Sequence, residues 1–267
     1  MSEKIYEDIV HGWSGADRSR FRAKQFLHLE ETGSTNDEMM ARARAGLANP
    51  FDLIAADFQT RGRGRRGDRW EAPIGRNLLF SIALPLDGPR ETWPRLPHLT
   101  AFVIGKAIEA ILEPGKKLQA KWPNDLLFNG QKLAGILVEI SLTPRPIAIV
   151  GVGINVNLRR EELPPELRSL ATSLYEILDC ESNRWFLLGL VIQGFLNHFP
   201  NQIDDFNTVL AWVTDRDFLI GKKLRIRSGL HWLEGTAAGI GPGGELLLET
   251  GEGTRVEIVS AEEIQFK

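Results

Sequence analysis

Four arginines and three glycines fill the seven positions Arg61-Gly62-Arg63-Gly64-Arg65-Arg66-Gly67, followed by Asp68-Arg69-Trp70, with no apolar anchor between Thr60 and Arg69. Glycine lets a backbone come close to a ligand, and arginine meets phosphate or carboxylate through forked hydrogen bonds. Ordering roughly eight such residues costs on the order of 10 kcal/mol, at about 1–2 kcal/mol of backbone entropy each. The segment is therefore expected to become rigid only around something anionic. Arg-Gly strings also bind RNA without folding. Here one short copy sits between two strand signals inside a globular chain, which favours a small ligand.

Other segments could carry chemistry beside it. In Lys121-Trp122-Pro123-Asn124-Asp125 the proline removes an amide donor, so the backbone there must be an edge, bulge or bend. Asn124 and Asp125 could support a metal–phosphate group, since Mg²⁺ takes hard oxygen ligands; alone, Pro-Asn-Asp reads as a plain turn. Strand alternation through Lys132-Leu133-Ala134-Gly135-Ile136-Leu137-Val138-Glu139 places Lys132 on the face of Ala134, Ile136 and Val138. There its ammonium either snorkels to water or meets an anion. Gly135 in mid-strand calls for a ligand or a second backbone to use the space. Gly151-Val152-Gly153-Ile154-Asn155 lacks the third glycine and the helix of a dinucleotide fingerprint. Its glycines are expected to clear room for a flat ligand, with the Asn155 amide at the edge. Ser34-Thr35-Asn36, taken alone, is a helix cap, and Thr35 with Glu38 has the capping-box spacing.

The elements that must position these groups follow from periodicity. Strands are expected at Leu27–Glu30, Asp52–Phe58, Asn77–Leu84 and Ile147–Val156. Leu118–Phe128 and Lys132–Leu142 flank Asn129-Gly130, a signal for a type I′ hairpin turn. Helices are expected from Thr35 to about Gly46, over Pro97–Leu112, Arg184–Phe199 and Ile203–Val213. After Ile220, short strands alternate with turns at Ser228-Gly229, Gly241 to Gly244 and Gly251-Glu252-Gly253, which predicts a small β-barrel of roughly 45 residues. The fold class is α+β: a loosely docked tail over 1–24, a mixed α+β domain over 25–218 and an SH3-like barrel over 219–267.

Bulk properties narrow the partners. The 267 residues are 43% hydrophobic and 25% charged, with a net charge of −3. Proteins that coat nucleic acid normally carry a basic surplus, so the arginine cluster is a local feature. The single cysteine, Cys180, excludes an internal disulfide and is expected as a reduced, partly buried residue. The N-terminus lacks the basic-then-apolar layout of a signal peptide, and the runs Ile147–Ile154 and Trp185–Ile192 are too short to span a bilayer. A cytoplasmic protein with no membrane partner is the simplest expectation.

Taken in order, Ser34-Thr35-Asn36, Gln59 before Gly62 to Gly67, Trp70, Lys121 to Asp125, Lys132 to Leu137 and Gly153-Ile154-Asn155 make the chain resemble the biotin protein ligases over about 27–267. Any one motif is weak; the ordered set is specific. The resemblance implies a class II synthetase-like catalytic fold and a two-step reaction. Biotin and ATP give biotinyl-5′-AMP and pyrophosphate, and the biotinyl group then passes to one lysine of a carboxylase's biotin carboxyl carrier domain.

By the same resemblance, the biotin site comprises Ser34, Thr35, Asn36, Gln59, Gly62, Arg63, Gly64, Arg65, Lys132, Gly135, Ile136 and Leu137. Arg66, Arg69, Trp70, Asn124 and Asn155 fall to ATP, Asp125 to Mg²⁺, and Lys132, Arg65 and Lys121 to catalysis. Lys132 sits at the biotin carboxylate and Trp70 covers the adenine. Some relatives carry an N-terminal DNA reader; too few residues precede the catalytic region here, so no DNA partner is expected. An exposed sheet edge offers a place for two copies to pair. The rivals are a lipoate or octanoate ligase of the same fold, which would lack the Gly62–Gly67 signature, and an Arg-Gly RNA-binding protein.

Overall fold

The computed structural model describes residues 3–21, 25–199, 201, 205–229, 231–251 and 253–267. Its centre is a seven-stranded mixed sheet in the order β1-β2-β3-β7-β6-β5-β4. The strands are β1 (Phe26–Thr32), β2 (Leu53–Gln59), β3 (Leu78–Pro85), β4 (Gln119–Lys121), β5 (Asp125–Phe128), β6 (Gln131–Ser141) and β7 (Ile147–Ile154). The pair β1 and β2 is parallel and the other neighbours are antiparallel. Asn129 and Gly130 both adopt positive φ, 49° and 79°, as a type I′ turn requires.

Helices cover both faces because β3 and β7 are apolar on both sides, and every residue of β7 is buried. On one face α3 (Thr35–Arg44) seals a small cluster of Met39, Ala43, Ile54, Ala83, Ile147 and Ile149. On the other lie α4 (Leu96–Glu109), α6 (Arg184–His198) and α7 (Asn207–Asp215) over the main core. The short α5 (Leu174–Leu178) follows the long segment after β7. The expected start of the last helix at Ile203 lies outside the described residues.

Residues 3–21 are not a loose tail. They form α1 (Glu3–Ile9) and α2 (Gly15–Arg20) and bury Ile9, Val10 and Phe21 completely. Gly189 of α6 makes room: a β-carbon there would stand 1.9 Å from the Ile9 carbonyl oxygen. Ile5, Tyr6, Ile9, Val10 and Trp13 carry the helical spacing of this packing, a signal that the expectation of a tail passed over. Cys180, expected partly buried, is exposed.

The expected strand over Leu118–Phe128 is two strands. The chain reverses at Trp122-Pro123-Asn124, and Lys121 pairs with Asp125 across the reversal. Pro123, with no amide proton to give a ladder, marks the break.

The C-terminal unit is a five-stranded antiparallel sheet, β11-β10-β9-β8-β12, built from β8 (Lys223–Ser228), β9 (His231–Ile240), β10 (Leu246–Glu249), β11 (Arg255–Ile258) and β12 (Glu263–Phe266). Its inner residues Leu224, Ile226, Leu246 and Leu248 are fully buried. The carbonyl of Gly244, in the turn before β10, accepts hydrogen bonds from His98 Nε2 at 2.8 Å and Trp122 Nε1 at 3.0 Å. This joint fixes the second unit against the Trp122–Asn124 reversal. Among the described residues no helix is long and apolar enough to cross a membrane.

Candidate active site

A cavity of about 250 Å³ opens where the start of α3, the end of β2, the β4–β5 reversal and the middles of β6 and β7 converge. The arginine-glycine segment closes over it, and Ile264 of β12 reaches its rim. Of the residues assigned to biotin, ATP, Mg²⁺ and catalysis, all but Gly62 and Asn155 line this cavity.

The arginine-glycine segment is a tight hairpin. Trp70 N donates to Gly62 O at 3.0 Å and Gly64 N to Asp68 O at 2.7 Å, with Arg66 in a left-handed turn at φ 59°. A β-carbon on Gly62 would stand 2.4 Å from the Trp70 carbonyl oxygen, so this stem requires glycine there. The segment was expected to meet an anion, and in this structure one of its arginines does so within the protein. Protein carboxylates supply the anion: Arg63 Nη2 stands 2.7 Å from Asp37 and 2.7 Å from Glu139. The Glu139 hydrogen bond is the main cause that raises the Arg63 guanidinium pKa. For Arg65, burial and then the neighbouring Arg66 push the guanidinium pKa down. Arg69 is exposed and 4.0 Å from Glu71.

The sheet floor is made of glycines because an indole lies on it. A β-carbon on Gly153 would stand 2.4 Å from Trp70 Cε2, and one on Gly135 would stand 2.8 Å from Trp70 Cζ3. The third, on Gly151, would fall 2.2 Å from Asn36 Oδ1. The room expected for a flat ligand is thus held by Trp70 and Asn36. Trp70 Nε1 is buried there with no hydrogen-bond partner.

Lys132 is not on the face of Ala134, Ile136 and Val138. The register of β5 with β6 shifts between Leu126, which faces Ala134, and Leu127, which faces Lys132. This bulge makes Leu133 the extra residue and turns Lys132 to the side of Gly135, where its Cε would be 3.1 Å from a Gly135 β-carbon. Its Nζ stands 2.8 Å from Asp125 Oδ1, in ion-pair contact though off the hydrogen-bonding direction, and 5.5 Å from the centre of the Trp70 ring. Lys121 Nζ is 5.5 Å from the Phe266 ring. Asn124 holds the reversal to β6 through its Nδ2, which donates to Ile136 O at 2.8 Å.

Behind the cavity runs a chain of buried polar groups. Thr35 N donates to Gln59 Oε1 at 2.7 Å, leaving the Gln59 Nε2 donors on the Gly62 side. Ser81 Oγ lies 2.7 Å from Thr35 Oγ1 and 2.6 Å from Asn36 Oδ1. A hydroxyl has one proton and an amide oxygen only accepts, so Ser81 donates to Asn36 and accepts from Thr35. Asn36 Nδ2 then donates to Glu139 Oε2 at 2.9 Å. No capping box forms: Ser34 is the N-cap without a side-chain bond, and Glu38 accepts from Thr32.

Asn155, expected at the nucleotide end, is buried and engaged. Its Nδ2 donates to Thr172 O at 3.0 Å and its Oδ1 accepts from Asn77 Nδ2 at 3.1 Å. It ties β7 to the Thr172 segment and presents nothing to the cavity. Sequence reasoning passed over Ser81, Asn77, Asp37, Glu139 and Ile264. Two of these carried a signal, since Ser81 is the polar residue inside the apolar β3 and Asn77 the one just before it.

A family model described as the biotin/lipoate A/B protein ligase family matches residues 31–157. The biotin–[acetyl-CoA-carboxylase] ligase of Paracoccus denitrificans is 31% identical over 248 residues, 89% of this chain and 99% of that protein. This chain belongs to the biotin protein ligase family. The bifunctional ligase/repressor BirA of Bacillus subtilis is 36% identical over 218 residues, which are 79% of this chain. The match spans 65% of the length of that relative and of its Bacillus spizizenii counterpart. Among solved structures, a biotin protein ligase from Aquifex aeolicus in complex with biotin and ATP superposes with a TM-score of 0.78 at 29% identity, covering 91% of this chain and 99% of that one. As in the other biotin protein ligases matched by shape, a mixed sheet with helices and a C-terminal β-unit make up the fold.

Proposed function

We propose that the protein is an ATP-dependent biotin protein ligase, which makes biotinyl-5′-AMP and transfers the biotinyl group to a lysine of a carboxylase's carrier domain. The observation that carries this reading is the convergence of the Lys132 ammonium and the Trp70 indole on the Gly135–Gly153 floor. A cation and an aromatic face stand together where an acid and a nucleotide must meet.

In the first step a biotin carboxylate oxygen attacks the α-phosphorus of ATP, and pyrophosphate leaves with the electrons of the broken P–O bond. Two anions are joined, so fixed positive charge at the junction lowers the barrier. Lys132, held by Asp125, lies at the carboxylate, with Arg65 and Lys121 on the cavity wall for the phosphates. Gln59 and Ser34 offer polar contacts to the ureido ring, and Ile136 and Leu137 line the apolar part of the acid. A second cavity of about 350 Å³ on the other side of Trp70, lined by Phe58, Pro73, Leu163 and Leu167 among others, suits the adenine. In the second step the neutral amine of the carrier lysine attacks the acyl carbon and AMP leaves. The closed hairpin keeps water from an anhydride that would otherwise hydrolyse.

A resident metal site does not fit these residues. Among the described residues no three His, Cys, Asp or Glu side chains are grouped to hold one, and Asp125 is already paired with Lys132. Mg²⁺ belongs with the triphosphate as part of the substrate.

The test is a streptavidin blot after incubation with ATP, biotin and a carrier domain. Labelling of the carrier that depends on ATP supports the reading. No labelling, with lipoate accepted in its place, moves the protein to the lipoate branch of the same fold.

A further inference from the structure

The closed hairpin has few ties of its own. Two backbone hydrogen bonds close its stem, and it meets the body through the Trp70 ring on the glycine floor, the half-buried Arg65 and the Arg63 ion pairs. Short segments with so few buried contacts open at low free energy, so a single added anchor changes how often they open. Arg63 supplies such an anchor. Its Nη1 and Nη2 meet both oxygens of Glu139 on β6, at 3.2 and 2.7 Å, and Nη2 also meets Asp37 on α3 at 2.7 Å. Fork-to-carboxylate pairing of this kind fixes direction as well as distance.

The partner on β6 is itself held. Glu139 Oε2 takes the Asn36 Nδ2 hydrogen bond, and Asn36 is pinned by Ser81 and by the space that Gly151 leaves. The Glu139 side chain is 29% exposed and that of Asp37 50%, so Glu139 is the less screened of the two. Neither residue carried a role in the reaction above.

We propose that Glu139, with Asp37 as a weaker second point, is a positioning residue that latches the Gly62–Trp70 hairpin shut through Arg63 and thereby sets how fast the acyl-adenylate escapes. The latch rests on the Arg63 contacts alone; only its effect on the adenylate rests on the reaction proposed above. Bound to two carboxylates, Arg63 acts as the bolt, and the charge facing the substrates comes from Lys132, Arg65 and Lys121.

The hairpin carries its own probe, because trypsin cuts after arginine. Full-length protein without ligand is digested under native conditions, and the first cut within 61–69 is mapped by mass spectrometry. Glu139→Gln keeps an acceptor for Asn36 and removes only the charge. It is expected to be cut about fivefold faster than the wild type, with a smaller effect for Asp37→Asn. Raising salt to about 1 M should bring the wild-type rate towards that of Glu139→Gln, a response that lost packing would not give. In the second arm, biotinyl-AMP should dissociate about fivefold faster from Glu139→Gln, in step with the cutting rate. Equal cutting rates for wild type and both variants, at low and high salt, overturn the latch. If no biotinyl-AMP forms at all, the proposed reaction falls, while the trypsin arm still decides the latch.

Discussion

The indole of Trp70 lies where a side chain on Gly153 would have to go: a β-carbon there would stand 2.4 Å from Cε2 and 2.6 Å from Cζ2. A single methyl group therefore forces either the strand or the hairpin to move. The strand is central and fully buried, so the hairpin gives. Gly153→Ala is expected to cost about 1–3 kcal/mol as overpacking and to weaken biotin and ATP binding together. In a Trp70→Ala background the obstacle is gone, and the same alanine should cost about 1 kcal/mol or less. Thermal melts of the four proteins in this cycle check it; a cost unchanged by removal of Trp70 would place the strain elsewhere.

Lys132 owes its position to the bulge at Leu133 and to Asp125. Lys132→Met keeps the unbranched apolar stem and removes the charge. Adenylation, followed as pyrophosphate release, should fall about 10²–10³-fold, the usual cost of losing one charged group at the reacting centre. Asp125→Asn leaves the ammonium present but unheld, so a smaller loss is expected. Unchanged pyrophosphate release in Lys132→Met would remove the residue from the reaction.

How much was legible in advance depends on the kind of signal. The motifs from Ser34 to Asp125 converge on one cavity because they sit at strand and helix ends, where sequence punctuation is strongest, and Gly135 marks the same cavity from the middle of β6. Turn chemistry at Asn129-Gly130 was also readable, since few residues tolerate positive φ. Three things were not. The bulge at Leu133 inverts the face of Lys132, and alternation alone cannot reveal a one-residue slip. The glycines at 135, 151 and 153 signalled empty space, but not that Trp70 and Asn36 fill it from elsewhere in the chain. Asn155 matched a motif and proved to be a buried tie, because a side chain's partners are decided by tertiary neighbours such as Asn77 and Thr172.

Ser81 tests the polar chain behind the cavity. Ser81→Ala leaves Asn36 Oδ1 without a partner in a buried setting, which costs about 1–3 kcal/mol, while the Thr35 hydroxyl can still donate to Gln59 Oε1 at 3.2 Å. Since Asn36 holds Glu139 and Thr35 holds Gln59, the KM for biotin should rise with little change in kcat. Denaturant melts and steady-state kinetics check both parts. A loss of kcat at unchanged KM would show that the chain serves the reacting groups rather than the acid's binding site.

His98 gives the joint between the two units a pH signature. Burial is the main cause that lowers its imidazole pKa from the ordinary 6.5, outweighing the hydrogen bond to Gly244 and the nearby Glu245 carboxylate, which both raise it. In the folded protein the ring is thus neutral where the unfolded chain has already bound a proton. Below about pH 6.5 the unfolded state holds more protons, so stability falls as pH drops, by up to about 1.4 kcal/mol per pH unit from this group. Above that pH the contribution is fully present. His98→Gln can still donate to the Gly244 carbonyl and has no proton to take up. Its stability relative to the wild type should therefore rise as pH is lowered from about 7 to about 5. Denaturant unfolding of the two proteins across that range measures the difference. Parallel pH profiles would mean that the ring is not held neutral in the folded protein.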